Sequence, residues 1–167
     1  MLDLETVYGW LNWHVQYESF LSIPVKKLIN IMKDALEKDD DTKTEHYIGL
    51  SMNVCMSLGN SLEIGETCLE CAYAYILMGR LPKSIPLLRQ AISLFIAQNV
   101  HNQAIALWIL GSAFWETGKN SDAIVVWERS CRIFRDLQSI HIDTDWYANA
   151  SKKMCSALEV EIDLKTS

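Results

Sequence analysis

Residues that break regular structure are scarce in this chain, with 7 glycines and 3 prolines among 167 positions. That scarcity excludes collagen-like and proline-rich disordered architectures, and a 50% hydrophobic content supplies the side chains for a folded core. Long apolar runs are missing too, since nothing approaches the roughly 18 uninterrupted residues a membrane helix requires. The opening Met1-Leu-Asp-Leu-Glu5 has no basic stretch ahead of an apolar one, so no secretory leader is expected and the expected location is cytoplasmic. Positive charge is in deficit: 15 lysines and arginines stand against 21 acidic residues, a formal net charge of -6. Such a molecule repels phosphate backbones and anionic membranes, which argues against nucleic acid and membrane as partners. The lysine pairs Lys26/Lys27 and Lys152/Lys153 read as solvated helix faces. Five cysteines, Cys55, Cys68, Cys71, Cys131 and Cys155, are an odd number, and point to reduced, buried thiols over a disulfide framework.

Signatures of catalysis are absent as well. There is no Gly-x-Ser-x-Gly, Gly-x-x-x-x-Gly-Lys or Gly-x-Gly-x-x-Gly. Cys68-Leu-Glu-Cys71 is the single Cys-x-x-Cys, and zinc would need a second pair or two suitably spaced histidines, whereas His14, His46, His101 and His141 are dispersed. A redox role for that motif would need a βαβ pattern around it, and none is present. The carboxylate pairs Glu63/Glu66 and Glu66/Glu70 lie one helical turn apart and are expected on a solvated face. No metal, cofactor or enzymatic activity is therefore expected.

What the chain does have is helical periodicity in nearly every segment and no period-two alternation beside a turn signal. An all-α fold of about eight helices is expected, over 4–20, 24–38, 43–58, 62–79, 82–98, 101–117, 120–138 and 143–160. Pro24 and Pro82 suit first helical positions, and Gly79 and Gly118 suit helix ends. Asp39-Asp40-Asp41 reads as an exposed turn.

The chain also repeats itself. A 39-residue shift lays Cys68, Cys71, Ala72, Tyr75, Gly79, Ser84, Leu88 and Ala91 over Leu107, Leu110, Gly111, Phe114, Gly118, Ala123, Trp127 and Ser130. Ile85 then falls on Ile124, Leu94 on Ile133 and Phe95 on Phe134. The unit is helix, turn, longer helix. Small residues at Ala72 or Gly111 and at Ser84 or Ala123 allow close helix approach, and Tyr75 or Phe114 fills the wedge beside them. Such hairpins cannot cover their own apolar faces and must stack.

The stretch Leu107-Trp-Ile-Leu-Gly-Ser-Ala-Phe-Trp-Glu-Thr-Gly118, followed by Ser121-Asp-Ala-Ile-Val-Val-Trp127, resembles a tetratricopeptide repeat. That family normally repeats with a period of about 34 residues. The 39-residue period and the tail Ser130-Cys-Arg-Ile-Phe134 resemble its long-helix variety, found in kinesin light chains and bacterial signalling proteins. The preceding unit departs from the pattern at Cys71 and Pro86. The resemblance implies a short right-handed α-solenoid of antiparallel helix pairs in one domain, 1–167. Within it the clear repeats are 65–103 and 104–142, and a degenerate one is 26–60. There Ile29, Met32, Leu36, Gly49 and Met52 fall over Cys68, Cys71, Tyr75, Leu88 and Ala91 when the same shift is applied again. A helix at 4–20 would precede the stack, and a helix at 143–160 would cap it, with Tyr147, Ala150, Met154 and Leu158 opposite Lys152, Lys153 and Glu159.

The resemblance also implies a concave groove lined by the first helix of each unit. Its expected partner-binding residues are Leu69, Tyr73 and Ile76 in one unit and Ile105, Trp108, Ser112 and Trp115 in the next, with an acidic end at Asn30, Asp34 and Glu37. Trp108 and Trp115 are two turns apart and share a face. Aromatic patches mark contact sites, so the expected function is a protein-protein interaction scaffold or adaptor. It would take a helical or extended partner segment with apolar and basic residues. Two other readings stand beside it: a homodimer or other homo-oligomer formed through the same patch, and a regulatory subunit of a larger signalling or enzymatic complex. The competing reading of the patch is that helix 4–20, with Trp10, Trp13 and Phe20, or helix 143–160 folds over it. The groove lacks the lysine, arginine and asparagine with which family members seize a C-terminal carboxylate, which disfavours that role.

Overall fold

The computed structural model describes residues 19, 21–95, 100–140 and 146–166, apart from the side chains of 146–148, 150, 160–162 and 164–166. The helix expected at 4–20, with its aromatics, lies outside the described residues except for position 19. Among the described residues there is no strand. The helices are α1 Ile23–Glu37, α2 Asp41–Leu58, α3 Ser61–Leu77, α4 Leu81–Leu94, α5 Val100–Glu116, α6 Asn120–Ile140 and α7 Trp146–Thr166. The expected all-α, solenoid-like fold is what forms, with each helix packed on its neighbour in sequence within two compact units, Glu18–Ile96 and Ala97–Ser167.

In the first unit α1 packs on α2 and α3 on α4, and α3 also touches α1 and α2. Val25, Ile29, Met32, Ile48, Cys55, Cys71 and Ala74 form its core. Helix starts follow local chemistry. Asp40 and Asn60 cap α2 and α3 by accepting hydrogen bonds from the amides of Lys43 and Glu63, and prolines stand in the first turns of α1 and α4.

Helix ends reveal the true register of the repeat. At the first turn the amides of Asp39 and Asp40 donate to the carbonyls of Leu36 and Ala35; Gly79 and Arg80 donate in the same way to Ile76 and Tyr75, and Gly118 and Lys119 to Trp115 and Phe114. These are three copies of one Schellman cap, and each places a residue in the left-handed region: Asp39 (φ 56), Gly79 (φ 75) and Gly118 (φ 82). The step from Gly79 to Gly118 is the expected one. The step from Asp39 to Gly79 is longer by one position, which corrects the shift assumed for the degenerate repeat. Ile48, Ser51 and Cys55, all buried, thus correspond to the buried Leu88, Ala91 and Phe95, and the expected Gly49 and Met52 do not. The sequence concealed this because an aspartate holds the left-handed position that glycine marks in the later hairpins.

In the second unit α6 packs on both α5 and α7. Met154 and Leu158 of α7 are buried while Lys152, Lys153 and Glu159 are exposed, as the cap pattern requires, and the helix runs on to Thr166. Trp127 of α6 lies against Gly111 of α5, closely enough that a Cβ at 111 would meet its indole Cδ1 and Nε1 at 2.5 Å. The corresponding positions in the first unit hold Ala72 and Leu88, both fully buried. A smaller residue on the first helix is matched by a larger one on the second, which conserves packed volume.

Candidate functional site

The residues expected to line an aromatic groove separate into three groups. Leu69, Ile105, Ser112 and Trp108 are buried, Trp108 with 1% of its surface exposed. Tyr73, Ile76 and Trp115 are half-buried, and Asn30, Asp34 and Glu37 are exposed. Trp108 and Trp115 do share a face, and what occupies it is Trp127 of the same chain. Its ring lies 5.4 Å from that of Trp108 and 5.5 Å from that of Trp115, and its indole N–H donates to the Trp108 carbonyl at 3.0 Å. Ser112 Oγ donates to the same carbonyl at 3.1 Å. Trp108 and Trp127 thus belong to the core with Trp115 at its edge, and the buried four present no surface to a partner.

The glutamates of α3 also depart from expectation. Glu63, Glu66 and Glu70 are buried, with 4%, 3% and 5% of their surfaces exposed, where solvated positions were expected. Glu63 Oε1 accepts hydrogen bonds from the Ser22 amide (2.9 Å) and hydroxyl (2.6 Å), and Glu66 Oε1 accepts one from Ser19 Oγ (2.8 Å). Glu70 pairs with Lys33 of α1 at 3.1 Å. The three carboxylates therefore fasten α1 and the segment leading into it onto α3. One signal for this was in the sequence: α3 contains no lysine or arginine to interleave with its acids, as a solvated face normally would. Cys55, Cys68 and Cys71 are likewise buried, and burial pushes all three thiols up, Cys68 to about 12, so they remain protonated packing groups.

An open surface concavity lies elsewhere in the first unit, where sequence reasoning did not look. Between α2 and α4 runs a groove of about 670 Å³. Ile48, Gly49 and Met52 form its α2 wall, Tyr75 of α3 contributes between the two helices, and Pro82, Pro86 and Leu87 form its α4 side. Two local features open it. Gly49 is exposed and nothing lies within 4 Å of where its Cβ would be, so the α2 wall lacks a side chain at its middle. Pro86 sits inside α4 without an N–H, which leaves the Pro82 carbonyl without its helical donor. Met56, one turn beyond Met52 and 57% exposed, continues the apolar stripe.

The opposite end of the groove is charged. Glu45 accepts hydrogen bonds from both Arg80 and Lys83, Arg80 also lies 3.9 Å from Asp41, and Lys83 Nζ stands 5.6 Å from the Tyr75 ring centre. The bonds from Lys83 and Arg80 hold the Glu45 carboxyl below its ordinary range; burial, and then the nearby Glu45 charge, push the Tyr75 hydroxyl up. Tyr75 therefore offers a neutral hydroxyl at an apolar surface. The exposed carboxylates Asp39 and Asp40 directly precede Asp41 in the α1–α2 turn.

No family model matches the chain, and no curated protein is significantly similar to it. Among the described residues no helix is long and apolar enough to cross a membrane.

Proposed function

We propose that this chain is a protein-interaction module, a divergent tetratricopeptide-like solenoid that holds a segment of another protein in the α2–α4 groove. The observation that carries this reading is the groove itself, whose volume of about 670 Å³ accommodates two or three apolar side chains. An apolar concavity flanked by further exposed apolar surface at Met56 favours contact over solvation. Tyr75 and the freed Pro82 carbonyl offer a partner backbone one hydroxyl and one acceptor. Charge defines the partner further: Asp41 and Glu45 are paired with Arg80 and Lys83, and the exposed Asp39 and Asp40 that precede Asp41 leave acid in excess at that end, which favours lysine or arginine there. The occupant is thus a short segment with apolar residues followed by basic ones. The aromatic positions Trp108 and Trp115 play no part in this reading.

Selection of displayed peptides against the purified protein tests it. Enriched sequences should combine apolar residues with a basic end and bind in a salt-dependent way. The substitution Gly49→Leu projects a side chain into space that holds nothing within 4 Å, so helicity should be retained. Affinity should fall about tenfold or more, equivalent to ~1.4 kcal/mol. Peptides that bind Gly49→Leu as tightly as the wild type would place the contact elsewhere, and dimers broken by Gly49→Leu in sedimentation would make a second copy of this chain the occupant.

A further inference from the structure

The α2–α4 groove constrains the backbone form of whatever enters it. Its helical walls spend their backbone groups on internal hydrogen bonds, Pro82 and Pro86 have no N–H to offer, and no strand edge exists among the described residues. A bound backbone is therefore offered three polar groups: the Tyr75 hydroxyl, the Lys83 ammonium and the Pro82 carbonyl. An extended segment carries an amide and a carbonyl at every residue, and those turned inward would lose water without a replacement. A helix brings its own hydrogen bonds. The shape of the α2 wall agrees. Ile48, Met52 and Met56 follow one another at four-residue spacing and extend over about 12 Å, two turns of an incoming helix. Gly49 beside them, exposed and with nothing within 4 Å of where its Cβ would be, lets a helix backbone come close.

Given the groove-binding role proposed above, on which this rests, we infer that the occupant is an amphipathic α-helix lying antiparallel to α2 and α4, with a basic C-terminal turn at the Glu45 end. Its direction follows from the walls. The lining runs from Glu45 to Met52 along α2 and from Pro82 to Leu87 along α4, so both helices start at the charged end. Two helix N-termini give that end partial positive charge, which attracts the negative end of a third helix, its C-terminus. The last carbonyls of that helix lack internal donors. The Tyr75 hydroxyl, kept protonated because burial and then the Glu45 charge push it up, can donate to one of them. Lys83, which gives Glu45 one of its three ammonium protons, can donate to another. Lysine or arginine in the same turn complements the dipole of the incoming helix and meets the acid excess left by Asp39 and Asp40. Towards the other end, its apolar side chains face Met52, Met56 and Leu87, and the unbranched methionines adapt to their shapes.

The probe is a library of random displayed peptides about 14 residues long, enough for three helical turns with their ends, selected on the intact chain and counter-screened on Gly49→Leu. Enriched peptides that Gly49→Leu weakens should carry apolar residues at i, i+4 and i+7 and lysine or arginine in the last turn. Their synthetic copies should gain helical ellipticity on binding. They should lose roughly tenfold or more in affinity when a central residue becomes proline, and about threefold when the basic residues move to the first turn. Tyr75→Phe should weaken them roughly threefold to tenfold, and Lys83→Gln, a change at an exposed position, supplies the same readout if Tyr75→Phe disturbs folding. Peptides sensitive to Gly49→Leu that alternate at period two and tolerate proline would overturn the helix and leave the groove as the contact. Basic residues enriched in the first turn, or binding indifferent to both Tyr75→Phe and Lys83→Gln, would overturn its direction. If no enriched peptide is weakened by Gly49→Leu, the groove-binding role itself fails and the helix with it.

Discussion

Gly111→Ala is the sharpest probe of how the second unit is packed. In an ordinary helix interior, replacing glycine by alanine stabilises by about 0.5–1 kcal/mol. At position 111 the new Cβ would stand 2.5 Å from Cδ1 and Nε1 of Trp127, well inside van der Waals contact. Trp127 is fully buried and its ring packs, tilted, against both Trp108 and Trp115, so it cannot retreat without moving both neighbours. Overpacking of this kind costs about 1–3 kcal/mol, and breaking the 3.0 Å bond from Trp127 to the Trp108 carbonyl leaves a buried indole N–H at a further cost of about 1–3 kcal/mol. With the helix gain subtracted, the variant should be destabilised by about 1–5 kcal/mol. Urea denaturation followed by tryptophan fluorescence and circular dichroism measures this. Gly49→Ala serves as the control, because it meets nothing within 4 Å and should gain about 0.5–1 kcal/mol. The double change Gly111→Ala with Trp127→Leu rebuilds the Ala72 and Leu88 pair of the first unit, and should recover part of the loss through a coupling energy of about 1–3 kcal/mol. A Gly111→Ala protein as stable as the wild type, or a double variant no better than the sum of its singles, would refute the volume-exchange reasoning.

Two other outcomes follow from the polar contacts. Glu63→Ala should destabilise the first unit by about 1–3 kcal/mol, because it strips the Ser22 amide and hydroxyl of their shared acceptor. Faster hydrogen exchange at the Ser22 amide would confirm the site of damage, and unchanged stability would contradict it. The Glu45 carboxyl lies below its ordinary value of 4.5 in the folded protein, so its bonds to Lys83 and Arg80 contribute stability above that value and lose it as pH falls through the lowered one. The stability difference between wild type and Glu45→Gln should therefore be constant at neutral pH and close only below 4.5; parallel pH profiles throughout would exclude the contribution.

Local chemistry explains what could be read early. Gly79, Gly118, Pro24 and Pro82 act through the backbone conformations they permit or forbid, so the helix boundaries they mark needed no knowledge of neighbours. The matched pairs Ala72 with Gly111 and Leu88 with Trp127 were legible for a related reason, since a repeated packing problem leaves a repeated pattern of side-chain sizes. The same reasoning failed where one residue type can serve two environments. Trp108 and Trp115 at helical spacing fit an open groove or a filled core equally well, and only the position of Trp127 separates the two. Glu63, Glu66 and Glu70 looked solvated because a carboxylate is costly to bury, yet donors from Ser22, Ser19 and Lys33, distant along the chain, make burial tolerable.

Local residue patterns alone dictate an all-helical chain, its hairpin turns and the 39-residue spacing of its clearest pair. These depend on capping, on φ angles and on periodicity, interactions that reach only a few residues along the backbone. Tertiary structure alone decided that the first hairpin is offset by one position more than the next, that the tryptophans pack inward, and that the open apolar surface lies between α2 and α4. Each of these turns on which face of one helix meets which face of another, a choice settled by the summed packing of both surfaces and carried by no single segment.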